Sequence, residues 1–241
     1  VGNKNEKDRR NSLFWHFLRA VNEINPKIVL FENVSGFKKL YKGIAFHTLI
    51  SELHKLGYQT KSEILDAADY GSPQHRKRTI IIGFKEGILF NFPLPTHSKK
   101  GDLFTNKYNV LSDAISDLPN LVSNEAKQSY LKSKTVYQKE IRGDQLVLTE
   151  HNCSNYGERM KLVISMIPKN GSVKDLPPEL RPKSCFGNTY ARLNNNLPSP
   201  TVTRNFGTPS SSRCVHPSQN RALSTREGAR LQGFLDSYVF Y

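Results

Sequence analysis

The spacing of apolar residues changes several times between residues 11 and 84, and this alternation restricts the possible folds more than any other feature. Leu13, Phe17 and Val21 recur every three or four residues, which predicts a helix that Pro26 must end. The next run, residues 28–31, is short and wholly apolar, as in a buried strand. A helix followed by a strand is therefore predicted at the start of this region.

The alternation continues to residue 84. A second helix is predicted from Phe46 to Leu56, with Gly57 where a left-handed helix cap is expected. Further strands are predicted at residues 60–67 and 79–84. Helices and strands in alternation are typical of a parallel sheet, so we predict the α/β class with parallel strands.

The pattern ends near residue 86. Eleven of the 13 prolines lie between residues 93 and 217, together with Asn- and Ser-rich stretches, which predicts an irregular, loop-rich region. Helical character returns at Ser224 to Glu227, which has the S/T-x-x-E arrangement of a capping box. We therefore divide the chain into residues 1–86, 87–220 and 221–241.

Charge narrows the class of partner. Thirty-five Lys and Arg residues stand against 21 Asp and Glu residues, a net charge of +14 that favours nucleic acid, although a soluble basic protein without such a partner has the same composition. No apolar run reaches the roughly 18 residues that span a bilayer, so no membrane partner is expected. Cys153, Cys185 and Cys214 lack CxxC or zinc-ligand spacing, which predicts no metal site and a reducing, cytoplasmic compartment.

Three stretches carry polar groups that could perform chemistry. Glu32 and Asn33 follow an apolar strand, at the end where open α/β sheets bind ligands. Residues 74–78 form a basic cluster before the last strand, and residues 221–234 form a capped basic helix. Each alone has an ordinary explanation, such as a solvent-facing acid or a solvated charged face. Their order and spacing together favour a functional site.

In that order, the stretches resemble the DNA (cytosine-5)-methyltransferases of bacterial modification systems. Glu32-Asn33-Val34 is similar to the family's ENV motif, and residues 68–78 are similar to its eighth motif, Gln-x-Arg-x-Arg. Residues 221–238 resemble the ninth motif, and residues 8–14 resemble the fifth. The resemblance extends over essentially the whole chain.

The resemblance implies a fold and a division of labour. Residues 1–86 would be the C-terminal half of the catalytic domain and form part of a Rossmann-like methyltransferase sheet. Residues 87–220 would be an irregular, loop-rich target recognition domain, and residues 221–241 a helix that returns toward the catalytic domain.

The family's chemistry implies roles for four residues. Members transfer a methyl group from S-adenosylmethionine to carbon 5 of a cytosine that is flipped out of double-stranded DNA. Glu32 would act as a protonated acid at ring N3, which near neutral pH requires a dry pocket. Arg78 would hold the base's O2 and the developing negative charge, and Arg76 would orient the pocket or a phosphate. Asn33 would fix the pocket backbone.

Further candidate DNA contacts lie in the predicted recognition domain. Thr201 and Val202 match a short Thr-plus-aliphatic signature of the family's recognition region. Thr203 and Arg204 follow directly, and Arg192 precedes them. Arginine suits guanine and phosphate, so these residues are predicted to contact bases or the backbone.

Three parts of the family's machinery are not found in the 241 residues. The nucleophile of the family stands in a Pro-Cys pair, whereas no cysteine here follows a proline, and the glycine-containing cofactor motif and the tenth motif are also absent. We therefore expect no cofactor-binding residues here, no activity of the chain alone, and a complementing N-terminal segment or subunit with the catalytic cysteine. The alternative is a non-catalytic DNA-binding module or an inactive remnant. A Rossmann-like enzyme of another class is disfavoured, because no glycine-rich phosphate loop follows a strand.

Overall fold

The computed structural model of the chain describes residues 13–121, 129–182 and 187–240, which form two compact units. Among these, the first unit comprises residues 13–66 and 77–94, and the second comprises residues 67–76 and 95–240. Most of the stretch that resembles the fifth motif, and Cys185, lie outside the described residues. The division of the chain at residues 86 and 220 stays a prediction.

The first unit contains the predicted alternation of helices and strands. Its elements are α1 (Leu13–Ile24), β1 (Ile28–Val34), α2 (Ile44–Lys55), β2 (Gln59–Asp66) and β3 (Lys77–Phe84). Each predicted helix and strand of this region is confirmed, with ends shifted by up to three residues. α1 ends before Pro26, and Gly57 after α2 has the expected left-handed backbone, with φ of 81°.

The sheet, however, is not the parallel one that the alternation predicted. β3 lies between β1 and β2 and is antiparallel to both. Only residues 67–76 connect β2 to β3, whereas a parallel pair needs a crossover of about a dozen residues or more. The short connection therefore returns the chain in the opposite direction, and the prediction of a parallel sheet is wrong for these strands.

An apolar core holds the first unit together. Leu49 and Leu53 of α2 and Ile81 of β3 are fully buried, and Leu18 and Val21 of α1 are nearly so. The three- and four-residue spacing in the helices places these side chains on one face, which packs against the sheet. The unit is thus stabilised mainly by removing apolar surface from water.

The second unit has little regular structure. Its described elements are β4 (His97–Ser98), β5 (Asn106–Lys107), α3 (Leu111–Ile115), α4 (Val136–Arg142), α5 (Glu158–Met166) and α6 (Thr225–Leu231). Within the described part, the longest of these, α5, has nine residues. The predicted loop-rich character of the region after the sheet is confirmed.

Buried charges support this irregular unit. Arg226 and Arg230 of α6 are both 0% exposed. Arg230 donates to both Asp117 and Asp236, and the Arg230 Nη2 to Asp236 Oδ2 distance is 2.6 Å. The sequence indicated only a capped basic helix, but the structure places the charges of α6 inside the unit, each with carboxylate partners.

The predicted capping box starts α6. Ser224 Oγ accepts a hydrogen bond from Glu227 N at 3.1 Å, and Ser224 N donates to Glu227 Oε2 at 2.7 Å. Burial raises the pKa of Glu227, but hydrogen bonds and charge from Arg221 outweigh it and lower that pKa to about 2. Burial lowers the pKa of the neighbouring His216 to about 4. The capping box is confirmed and is part of a buried ionic cluster.

Candidate functional site

The structure brings Glu32 and Arg78 together in the first unit. Arg78 is opposite Val34 in the β1–β3 register, so its side chain shares a face with Glu32, two residues earlier on β1. The Arg78 Nε to Glu32 Oε1 distance is 2.6 Å. Two stretches that are more than 40 residues apart in sequence therefore form one ion pair at the carboxyl end of β1.

The guanidinium of Arg78 is only partly used by the protein. Besides its Nε contact with Glu32, Nη1 donates to the carbonyl oxygen of Lys77 at 2.9 Å. Within the described residues, Nη2 makes no hydrogen bond and the side chain is 21% exposed. A donor thus remains for a ligand atom placed beside the ion pair.

Asn33 orders the backbone where β1 ends. Its Oδ1 accepts a hydrogen bond from Val34 N at 2.8 Å. Thr79, the register partner of Asn33, donates from Oγ1 to Val34 O at 3.3 Å. These contacts fix the peptide that follows Glu32.

A cavity of about 740 Å³ opens beside this pair in the first unit. Glu32 and Asn33 line it on one side. Its aromatic walls come from Phe14, Trp15, Phe17, Phe31, Phe37 and Tyr41. The cavity can therefore hold a flat apolar group with polar atoms aimed at Glu32. The dry pocket predicted for Glu32 is not found in these residues, because its side chain is 47% exposed and pairs with Arg78.

Gln74, which the sequence reasoning did not select, connects three parts of the second unit. Its side chain is 1% exposed. Its Nε2 donates to Leu231 O of α6 at 2.9 Å, and its Oε1 accepts from Val202 N at 2.8 Å. One amide thus ties the stretch similar to the eighth motif to the ninth-motif helix and to the candidate recognition segment. The sequence feature that could have identified Gln74 is its position as the first residue of Gln-x-Arg-x-Arg.

The segment around Thr201 packs on the same loop. His75 N donates to Ser199 O, and Ser199 N donates to Pro73 O, both at 2.8 Å. Thr201 Oγ1 donates to His75 O at 2.8 Å, while Val202 is 3% exposed. Thr201 and Val202 therefore hold this segment in place in the second unit.

The remaining candidates differ in accessibility. Thr203 and Arg204 are exposed, and Arg204 lines a cavity of about 450 Å³ with Asn152 and Ser154. Arg76 is partly exposed, and its carbonyl oxygen accepts from Ala67 N at 3.2 Å. The exposed side chains of Thr203 and Arg204 can reach a ligand without rearrangement.

Arg192 is instead committed to the protein. It is 9% exposed, and burial lowers its pKa. Its guanidinium donates five hydrogen bonds, to the carbonyl oxygens of Ile164, Ile167, His216 and Gln219 and to Asn220 Oδ1. A guanidinium has five N–H donors, so all of them are satisfied inside the unit. Arg192 therefore holds parts of the second unit together, and none of its N–H donors is left for DNA in this conformation.

Cys214 does not have the environment of an activated thiol. Cys214 is 1% exposed, and burial raises its pKa to about 11, which keeps the thiol protonated. Cys153 is partly exposed and follows Asn152. Among the described residues, no group of three or more His, Cys, Asp or Glu side chains could hold a metal, and no helix is long and apolar enough to cross a membrane.

Comparisons with known proteins point to one family over the whole length of the chain. The family model described as C-5 cytosine-specific DNA methylase matches residues 1–241. The chain is 32% identical over 240 residues to the type II methyltransferase M1.HphI of Haemophilus parahaemolyticus, covering 100% of this chain and 56% of that protein. It is 32% identical over 257 residues to the type II methyltransferase M.DdeI of Desulfomicrobium norvegicum, covering 99% and 60%. The chain thus spans somewhat more than half the length of these relatives.

A solved structure shows the same fold. It is a protein described as a DNA modification methyltransferase encoded within an E. coli prophage, with a TM-score of 0.69, 22% identity, and coverage of 97% of this chain and 66% of that one. At this identity the likeness concerns the fold alone. The predicted class, α/β with part of a Rossmann-like methyltransferase sheet, is confirmed.

Proposed function

Because the chain belongs to the C-5 cytosine-specific DNA methylase family, we propose that it supplies the target-base pocket and DNA recognition of an enzyme that methylates cytosine in double-stranded DNA. The modification would be sequence-specific, of the restriction-modification type. The observation that carries the proposal is the ion pair of Glu32 and Arg78 beside an aromatic cavity. Such a protein would work on DNA in the bacterial cytoplasm.

In the proposed pocket, these residues bind and orient a flipped cytosine. Glu32 contacts ring N3 and the exocyclic amine, and the free Nη2 of Arg78 donates to O2, where negative charge develops. Arg76 orients the pocket or a flanking phosphate, and Asn33 fixes the peptide after Glu32. Because Glu32 is half-exposed, the incoming base and the rest of the enzyme must exclude water before it can act as an acid.

S-adenosylmethionine supplies the methyl group, and we assign no residue of this chain to its binding. The nucleophile would come from a complementing N-terminal segment or subunit, since no cysteine of the chain follows a proline. The exposed apolar residues of β1 support such a partner. Within the described sheet β1 is an edge strand, so its outer backbone groups could pair with a further strand, and Ile28 and Leu30 on one face of the sheet are 52% and 60% exposed and could pack against a partner.

Recognition would use the second unit. Thr203 and Arg204 are exposed and suit contacts with bases or phosphates. Thr201 and Val202 would position Thr203 and Arg204, because they anchor the segment to the loop that contains Gln74. Arg192 would hold the recognition unit together from inside.

The test is tritiated methyl transfer from S-adenosylmethionine to duplex DNA. The chain alone should be inactive, and a mixture with a separately expressed N-terminal segment that carries a Pro-Cys motif should be active. In the mixture, Glu32→Gln should lower the rate at least about a hundredfold without weakening duplex binding. Glu63→Gln is the matched control, because Glu32 and Glu63 flank Ile80 on the two neighbouring strands.

Two results would contradict the proposal. Full activity of Glu32→Gln would remove Glu32 from the chemistry. No methyl transfer in any mixture, with duplex binding intact and sensitive to salt, would favour the non-catalytic DNA-binding alternative.

A further inference from the structure

A short turn in the second unit presents two apolar side chains almost entirely to solvent. We call residues 98–107 the apolar turn. Leu103 is 96% exposed and Phe104 is 90% exposed. Two adjacent large apolar residues are normally at least partly covered, so such a tip marks an interaction surface.

The apolar turn is built to hold this tip in place. Asp102 Oδ1 accepts from the backbone N–H groups of Phe104 and Thr105 at 2.8 and 2.7 Å. Ser98 Oγ accepts from Gly101 N at 3.0 Å and from Thr105 Oγ1 at 2.8 Å. Asp102 N donates back to Thr105 O at 2.9 Å, which closes the turn. The exposure of the tip therefore results from a defined conformation.

The charges around the tip indicate the chemistry of its partner. Lys99, Lys100 and Lys107 belong to the same turn and are exposed. The one acidic side chain of the turn, Asp102, is occupied by the turn's own N–H and hydroxyl donors. A protein groove would have to match apolar residues ringed by lysines, whereas duplex DNA offers phosphates to the lysines and base faces to the tip.

The apolar turn is anchored on the loop of residues 67–76, which resembles the eighth motif. Thr96 N donates to Asp69 O at 2.9 Å, and Tyr108 Oη donates to Asp69 Oδ1 at 2.6 Å. Asn109 Nδ2 donates to Gly71 O at 2.8 Å. Residues on both sides of the turn thus hydrogen-bond to the loop that carries Gln74 and Arg76, which fixes the base of the turn to that loop.

We propose that the apolar turn is a DNA wedge. Leu103 and Phe104 enter a groove or the base stack of the duplex, while the three lysines neutralise nearby phosphates. The proposal rests on the proposed function in taking as the partner duplex DNA from which a base is flipped. Flipping a base leaves its neighbours unstacked, and an apolar side chain inserted there offsets part of the missing stacking. The turn would thus stabilise the distorted DNA and contribute to affinity without reading sequence.

The first experiment measures binding of the 241-residue chain to a 30-base-pair duplex of mixed sequence by fluorescence anisotropy. Leu103→Ser with Phe104→Ser should weaken binding roughly tenfold, in line with the removal of one aromatic ring that stacks on a base. The matched control is Leu89→Ser with Leu94→Ser, which removes two leucines that are 99% and 85% exposed in the first unit. Its affinity should equal that of the unchanged chain.

A second readout separates direct insertion from indirect effects. Tryptophan introduced by Phe104→Trp should be quenched on adding duplex, because stacked bases quench indole emission, and tryptophan introduced by Leu89→Trp should not. Lys99→Gln with Lys100→Gln should lower the magnitude of the salt slope of binding by about 2, one unit for each phosphate that is no longer neutralised.

The outcomes distinguish the two proposals. If the unchanged chain binds no duplex, both the proposed function and the wedge fail. If it binds, but the double serine variant binds equally well and Phe104→Trp is not quenched, the wedge alone is overturned. A serine variant that alters self-association of the chain and leaves DNA binding unchanged would likewise overturn the wedge, and would assign the tip to a protein contact.

Discussion

The two units reach a folded state by different means. In the first unit, three strands and two helices enclose an apolar core of residues such as Leu49, Leu53 and Ile81. In the second unit, short helices and loops surround buried charges, and Arg226 and Arg230 are among its largest fully buried side chains. In the first unit, backbone N–H and C=O groups form hydrogen bonds mainly within helices and the sheet. In the second unit, many backbone groups form hydrogen bonds with side chains instead.

This difference bears on which residues of each unit can vary. A sheet tolerates little change in direction, so Glu32 and Arg78 keep their positions on β1 and β3. Loops held by arginines and amides, such as Arg192 and Gln74, can vary in their exposed residues while the internal bonds remain. The contrast between the two units can be tested by three changes.

Replacing one buried arginine should destabilise the second unit more than a large cavity destabilises the first. Arg230→Met leaves Asp117 buried without its ion-pair partner and leaves Asp236 with only Arg226, at 3.6 Å, which should cost about 4 kcal/mol. Leu53→Ala in the first unit should cost about 3 kcal/mol. Urea titration would follow the first unit through Trp15, the single tryptophan, and the second through hydrogen exchange of its peptides.

The control is Arg230→Met combined with Asp117→Asn, which should recover part of the stability because the unpaired charge is gone, whereas Asp236 is kept because it also pairs with Arg226. A destabilisation of under about 1 kcal/mol for Arg230→Met would remove the contrast between the units, since uncompensated buried charges cost several times more.

Acid should weaken the second unit first. The pKa of His216 is about 4 because of burial, so between pH 6.5 and 4 the unfolded chain takes up a proton that the folded chain does not. Stability should therefore fall across this range by about 3 kcal/mol and fall further below pH 4.5, where Glu227 favours the unfolded state in the same way.

The first unit offers a contrast, because its described histidines, His16, His47 and His54, are all exposed. Hydrogen exchange at pH 7 and pH 5 should show second-unit peptides opening while Trp15 emission is steady. His216→Gln should flatten the profile above pH 4.5, and equal acid sensitivity of both units would contradict the assignment.

A single buried amide should matter for recognition as well as stability. Gln74→Ala removes the partner of Val202 N and one of the two donors to Leu231 O, which keeps Ser72 Oγ at 3.3 Å, and should cost about 2 kcal/mol. Gln138→Ala is the matched control, since Gln138 is 0% exposed in the same unit and bonds Ser112 O and Lys134 N instead. Both changes should lower stability, but only Gln74→Ala should weaken duplex binding. If both variants bind duplex DNA equally well, Gln74 contributes to stability alone and has no part in DNA binding.

Much of the first unit was predictable because its signals are local. The spacing of Leu13, Phe17 and Val21 reports a helix face, and the run before Glu32 reports a strand, whatever the rest of the chain does. The capping box of Ser224 and Glu227 is equally local. Strand direction was not predictable in this way, because it depends on how a ten-residue connection folds back.

The candidate site was predictable in its residue types and only partly in its geometry. Glu32, Asn33 and Arg78 were identified from their motifs, and their pairing across β1 and β3 follows from the strand register. Arg192 and Gln74 were misjudged or missed for one reason. An exposed and a buried polar side chain look identical in a loop, where no periodicity reports which way a residue points.

The elements, the basic charge and the motif order could be read from the sequence, because each depends on neighbouring residues or on composition. The antiparallel position of β3 between β1 and β2, the pairing of Glu32 with Arg78, and the burial of α6 with its arginines became known from the three-dimensional structure. These features arise from contacts between distant parts of the chain. A buried charge is tolerated only when an oppositely charged group lies beside it in the folded structure. A partner that is distant in the sequence cannot be identified from the residues around the charge.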